Sequence, residues 1–364
     1  MKKIGCAAAL LLLIAAGNVF GANVDAYYQT NLVSDLPGVA AKQDPGLVNP
    51  WGLAASGGSP IWVADNNAGV STVYSGSGSK LLQVTVPANP TGIVVNTTST
   101  NFGGSHFIFD TESGVIASWT SGASAVPSAT GAMGSIYKGL AINQTNGLLY
   151  AANFGLNRID VFNSSFAATT VPGNFVDPTL PAAYAPFNVQ NIGGQLYVTY
   201  ALSSGTGDET TGSGFGYVDI FDLNGNFVKR VASQGALNAP WGLAIAPSGF
   251  GAFGGDLLVG NFGNGEINAY NLSTDTFAGT LDYANGNPVV IDGLWGLLFG
   301  NGSQGQGTDT LYFAAGIPGP NGNVEDNGLY GSLDPVPEPG VLPLSAFGLA
   351  VVLFAVFRRS LSHS

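Results

Sequence analysis

Apolar residues recur along this chain in short runs broken by Gly, Asn, Pro and Ser, and the runs fall into sets. A turn followed by a short apolar strand appears as NPWGLAAS, NPTGIVVN, YKGLAIN, APFNVQN, APWGLAIA and GLWGLLFG. The key position of each is Gly52, Gly92, Gly139, Asn188, Gly242 and Gly296, at steps of 40, 47, 49, 54 and 54 residues. A second apolar run follows each one: PIWVADN, HFIFDT, LLYAAN, QLYVTY, DLLVGN and TLYFAA. A third lies beyond a Gly or Asn turn: VSTVYS, GVIASWT, RIDVFN, YVDIFD, EINAYN and GLYGSL. Fourth runs are weaker, as in LLQVTVP, FVKRVAS and FAGTLDY. Three or four short strands at this period are the spacing of a β-propeller blade. The expectation is an all-β, six-bladed β-propeller over residues 23–334. No fourth run follows GLYGSL, so the N-terminal YYQTNLVSD is expected to close the ring by pairing with it, removing an open sheet edge.

The two ends carry a different pattern. Lys2 and Lys3 precede an apolar stretch from Ile4 to Ala16 that is too short to span a bilayer, and small residues follow at Gly17, Gly21 and Ala22. That is the anatomy of a secretory signal peptide, here residues 1–22. Near the other end, Gly340 to Phe357 is apolar throughout and is followed by Arg358 and Arg359. Eighteen helical residues rise about 27 Å, close to the hydrocarbon thickness. The arginines would stay on the cytoplasmic side and leave the bulk of the chain outside. Pro337-Glu338-Pro339 stands directly before this stretch. Motif, span, arginines and position together make residues 335–364 resemble a PEP-CTERM sorting signal with its transmembrane helix. The resemblance implies an exosortase-type sorting protease as a partner, in exopolysaccharide-exporting bacteria. The chain is thus expected to be exported, anchored by its C-terminal helix, then released to the cell surface or the medium.

Composition narrows what the middle can do. Gly is abundant, at 54 residues, and charged residues make up only 9%. Four of the ten Lys and Arg residues lie in the two ends, leaving six against 22 acids and a net charge near −16. A surface so acidic argues against nucleic acid and anionic lipid headgroups as partners. The one cysteine, Cys6, lies in the signal peptide, so the mature chain has neither disulfides nor thiolate chemistry. There are two histidines, His106 and the tail's His363, which excludes a multi-histidine metal site and a histidine triad within the propeller.

The repeats resemble those of NHL-repeat and gluconolactonase-like six-bladed propellers. The stretches NLVSDLPGVAAKQDPGLVNPWGLAAS, APWGLAIAPSGFGAFGGDLLVGNFGNGEINAYN and DGLWGLLFGNG more closely resemble an uncharacterised exported bacterial propeller family. This resemblance implies the fold and brings no activity. In such a ring, residues just before each first strand and at the end of each second strand meet at one channel mouth. The first column reads Trp51, Thr91, Lys138, Phe187, Trp241 and Trp295; the second reads Asp65, Asp110, Asn153, Tyr200, Asn261 and Ala315. Trp241, Trp295 and Trp51 come from neighbouring blades and should cluster.

Two readings of these columns compete. Aromatic rings beside Asp and Asn suit a sugar, which stacks its faces and bonds through its hydroxyls. Tryptophans at fixed repeat positions are more often packing between blades, and that reading is favoured. Asp65, Asp110, Asn153 and Asn261 are oxygen donors of the kind that hold Ca²⁺, although Asn before Phe-Gly is also ordinary turn chemistry. The Glu-Asn-Asp calcium set of gluconolactonase-like propellers does not carry over, because no glutamate occupies either column. Asp208-Glu209, inside SSGTGDETTGSGFG, reads as a solvated loop. The favoured function is a non-enzymatic binding protein associated with exopolysaccharide or the envelope. The alternative is a Ca²⁺-dependent hydrolase or lyase at the same mouth.

Overall fold

The computed structural model describes residues 26–336, all of them in one body. The signal peptide, Pro337-Glu338-Pro339, the apolar C-terminal stretch and Arg358-Arg359 lie outside the described residues. Among the described residues no helix is long and apolar enough to cross a membrane.

Six sheets form six blades, antiparallel except for two short parallel pairings made by the N-terminal strand of the sixth. The innermost strands are Pro50–Ala54, Pro90–Val95, Tyr137–Asn143, Tyr184–Ile192, Pro240–Ile245 and Leu294–Phe299, each at a repeat opening found in the sequence. Each neighbours the next around the axis, and Leu294–Phe299 returns to Pro50–Ala54, so the ring is closed. Two outer strands escape the sequence pattern, Val126–Thr130 in blade two and the two-residue Ala168–Thr169 in blade three. Both are short edge strands that bury almost nothing, so the apolar alternation that marks a half-buried strand is missing.

The ring closes through its N-terminal strand. Ala26–Ser34 lies antiparallel to Leu329–Pro335, from Tyr27 opposite Pro335 to Ser34 opposite Leu329, with the register shifting by one residue between Asn31 and Val33. Ser34 Oγ donates to the Gly328 carbonyl at 2.7 Å, and Tyr27 Oη donates to the Phe250 carbonyl at 2.9 Å. Blade six thus takes its three inner strands from one end of the domain and its fourth from the other.

The repeat glycine has a steric cause. A Cβ on Gly52 would fall 2.7 Å from the Thr91 carbonyl oxygen, one on Gly92 2.5 Å from the Leu140 nitrogen, and one on Gly242 2.6 Å from the Trp295 carbonyl. Each contact is made with the innermost strand of the next blade, so the ring can be this tight only where the Cβ is absent. Blade four replaces glycine by Asn188, whose Nδ2 donates to the Trp241 carbonyl at 2.8 Å and ties the two strands together. At this same place the pairing register of all six innermost strands slips. A bulge re-aims the side chain it contains, and at four of these places it brings Trp51, Phe187, Trp241 and Trp295 into one buried cluster.

Candidate functional site

Four residues of the first sequence column, Trp51, Phe187, Trp241 and Trp295, meet in one buried cluster and make a plug. Trp51 stacks on Trp295 at 3.5 Å between ring centroids, and Trp241 meets both edge-on at 6.1 and 5.9 Å. Phe187 and Phe262 pack on Trp295 at 5.6 and 4.1 Å. The three tryptophans are 0 to 4% exposed. They are the packing between blades that the favoured reading anticipates, and they offer no open platform for a sugar ring.

Lys138 stands on this plug. Its ammonium lies 5.4 Å from the ring centroids of Trp51 and Phe154 and 5.7 Å from that of Phe187. The Trp241 indole N–H donates to the Lys138 carbonyl at 2.7 Å and holds its backbone. The side chain is 2% exposed and faces Glu209 at 3.0 Å, Glu112 at 3.7 Å and Asp208 at 3.8 Å. Burial works against its charge, but Glu209, then Glu112, outweigh that and hold the amine above its usual range. A permanently charged lysine is no nucleophile.

Around it opens a cavity of about 370 Å³, walled by Asn49, Asn66, Asn67, four acids and Phe262. Glu325 reaches it from the loop after the second strand of blade six. Asn49 Nδ2 donates to Glu325 Oε1 at 3.0 Å, and the Trp295 indole donates to Asn49 Oδ1 at 3.2 Å. Burial, reinforced by Glu209 and Glu112, lifts the Glu325 carboxyl from 4.5 to about 7, although Asn49 and Lys138 pull the other way. Asn66 Nδ2 donates to Glu112 Oε2 at 3.0 Å, which fixes the second glutamate. Asn49 and Glu325 have backbone φ of 49° and 73°, a left-handed conformation that side-chain-bearing residues rarely adopt. Ten other side-chain-bearing residues among the described ones share a positive φ, so what singles out this pair is the hydrogen bond that joins them on the cavity rim.

The second sequence column is placed differently from what its chemistry suggested. Asp65 and Asp110 are wholly buried between strands. Asp65 accepts from the Thr72 N–H at 2.8 Å, and Asp110 accepts from the Gly92 N–H at 2.6 Å and the Thr91 hydroxyl at 2.9 Å. Burial drives the Asp65 carboxyl well above the carboxylate range and that of Asp110 to about 7. Asn153 bonds to Ser135 Oγ and Asp160, and Asn261 to the Ala236 carbonyl and Asn264, tying each strand end to its own blade and to the connection that enters it. Among the described residues no three His, Cys, Asp or Glu are grouped as a metal centre. Of the twelve column residues, Lys138 alone lines the acidic cavity.

The other residues that line it fall outside both sequence columns. Asn66 and Glu112 follow Asp65 and Asp110 by one and two residues. Side chains alternate along a strand, so the strand-end residue turns into the sheet and the loop behind it holds the mouth. The solvated-loop reading of Asp208-Glu209 is corrected: Glu209–Thr210 pairs with the end of the second strand of blade four, folding the insertion inward. Glu209 is 7% exposed, while Asp208 is 76% exposed. The sequence signal that points to this mouth is an acid within two residues of a second-strand end, together with an insertion that breaks the repeat length.

No family model matches the chain. It is 37% identical to uncharacterized protein R648 of Acanthamoeba polyphaga mimivirus, over 73% of this chain and 72% of that one. It is 34% identical to uncharacterized protein L690 of the same virus, over 73% and 77%. Among solved structures, a Bacteroides thetaiotaomicron protein of unknown function superposes with a TM-score of 0.53 at 11% identity, covering 85% of this chain and 76% of that one. That likeness is one of fold. The relatives are viral and bear on the propeller, with nothing said of export or sorting.

Proposed function

This chain belongs to the propeller family of the two mimivirus proteins, and from that premise we propose that it is an exported binding protein whose acidic mouth takes a carbohydrate. The observation that carries the reading is the strained Asn49–Glu325 pair, bonded together on the rim of the cavity above Lys138. Asn amides and carboxylates supply donors and acceptors for hydroxyl groups, and the ring of Phe262 supplies an apolar surface.

Charge selects among sugars. Four acids against one lysine leave the mouth negative, so it favours neutral or amine-bearing glycans and repels uronic acid polymers. Export and sorting to the surface by an exosortase-type protease rest on the two ends of the sequence. A calcium-dependent hydrolase or lyase at this mouth is the weaker reading, because the carboxylates that would ligate the ion already surround the Lys138 ammonium.

A glycan array probed with the purified chain tests this. Neutral or amine-bearing glycans should be retained and polyuronates should not, and Glu112→Gln should weaken retention about tenfold, as loss of one charge-assisted hydrogen bond does. Retention of polyuronates alone, or retention indifferent to Glu112→Gln, would count against the mouth as the binding site.

A further inference from the structure

The least expected group in this protein is a buried lysine. Lysines bury their stems and keep the ammonium in water, yet Lys138 is 2% exposed and is the one buried cation among the described residues. Its charge is compensated entirely from other blades: Glu112 follows the second strand of blade two, and Asp208 and Glu209 come from the blade-four insertion. Glu325, from blade six, feels the same charge. Beneath it lie the faces of Trp51, Phe154 and Phe187, which attract a cation.

We propose that the Lys138 ammonium is the resident cation of the mouth, a tethered substitute for a divalent ion that gathers carboxylates from three blades into one ligand-facing rim. Its geometry has three consequences. An ammonium carries one charge against the four acids of the rim, so surplus negative charge stays there and adds to the burial that raises the Glu325 carboxyl. Being covalent, the cation cannot be lost to a chelator, and the mouth stays assembled wherever calcium is scarce. Its position is also exclusive, since a divalent ion and Lys138 Nζ cannot share one set of oxygens. The inference is independent of which ligand the mouth takes.

The test removes the tether and offers a free ion. In full-length wild-type protein, Ca²⁺ at millimolar concentration should leave the melting temperature unchanged, and calorimetry should detect no tight site. Lys138→Met, of similar length without the charge, should melt about 10 °C lower in EDTA because buried carboxylates lose their partner. Ca²⁺ should restore most of that loss with one ion bound per chain, while Lys138→Arg should remain indifferent to Ca²⁺. If Lys138→Met does not fold in EDTA, folding on addition of Ca²⁺ carries the same meaning. The double variant Lys138→Met/Glu209→Gln, which removes the charge and its nearest acid together, should then fold without calcium. A loss in Lys138→Met that Ca²⁺ leaves unrepaired, or a wild-type chain that binds Ca²⁺ as tightly as the variant, overturns the proposal.

Discussion

The seam of blade six and the mouth of the channel both join parts of the chain far apart in sequence, and they are built from opposite materials. At the seam, Ala26–Ser34 pairs with Leu329–Pro335, buried Val33 and Tyr330 pack with Tyr74 and Tyr312, and Leu329 and Leu333 join a second core cluster with Tyr27 and Phe313. Its bonds are mostly backbone to backbone and its side chains mostly apolar. At the mouth, Lys138 on an innermost strand meets the charges of Glu112 and Glu209 from other blades, with Asn49 and Glu325 beside them in left-handed backbone. The seam gains stability by burying apolar surface and satisfying a strand edge. The mouth draws on that stability, holding a conformation it would not keep alone.

The largest effect is expected where the seam is broken. Deleting Tyr27 to Ser34 exposes the edge of Leu329–Pro335 and unclasps the ring, which should cost several kcal/mol and promote aggregation. Thermal melting with light scattering reads both. A deleted chain that stays monomeric with an unchanged melting temperature would place the clasp elsewhere.

A smaller effect of opposite sign is expected at the mouth. Glu325 has its carboxyl raised from 4.5 to about 7, so it folds more readily protonated than ionised. Its contribution to stability is complete below the unfolded value and is lost as pH rises through about 7. Glu325→Gln keeps the oxygen that accepts from Asn49 and removes the charge. It should match wild type at pH 4 and exceed it by about 3 kcal/mol at pH 8, since each tenfold gain in proton affinity on folding is worth about 1.4 kcal/mol. Denaturant titration at the two pH values measures the difference, and an equal effect at both would detach it from ionisation.

The same contrast explains how much could be read from the residues. The seam was legible because it is made of repeats: six apolar openings, and one missing fourth strand that YYQTNLVSD could supply. The plug was legible too, since Trp51, Trp241 and Trp295 hold one repeat position. The mouth was only half legible. Lys138 belongs to the repeat column, whereas Glu112, Glu209 and Glu325 sit on connections whose course depends on the whole ring. Asp65 and Asp110 have the right chemistry at the wrong phase: the strand period turns them between strands, where they accept backbone N–H groups. Repetition encodes packing, and the site is made where repetition stops.

One measurement bears on this account most directly: the stability and glycan affinity of Glu325→Gln, taken on the same sample at pH 8. If the mouth holds strain and surplus charge for the sake of a ligand, the variant should melt higher than wild type and bind its array-selected glycan more weakly. A variant that is more stable and binds as well as wild type would contradict it, showing that the acids around Lys138 serve the fold and that the ligand is held elsewhere.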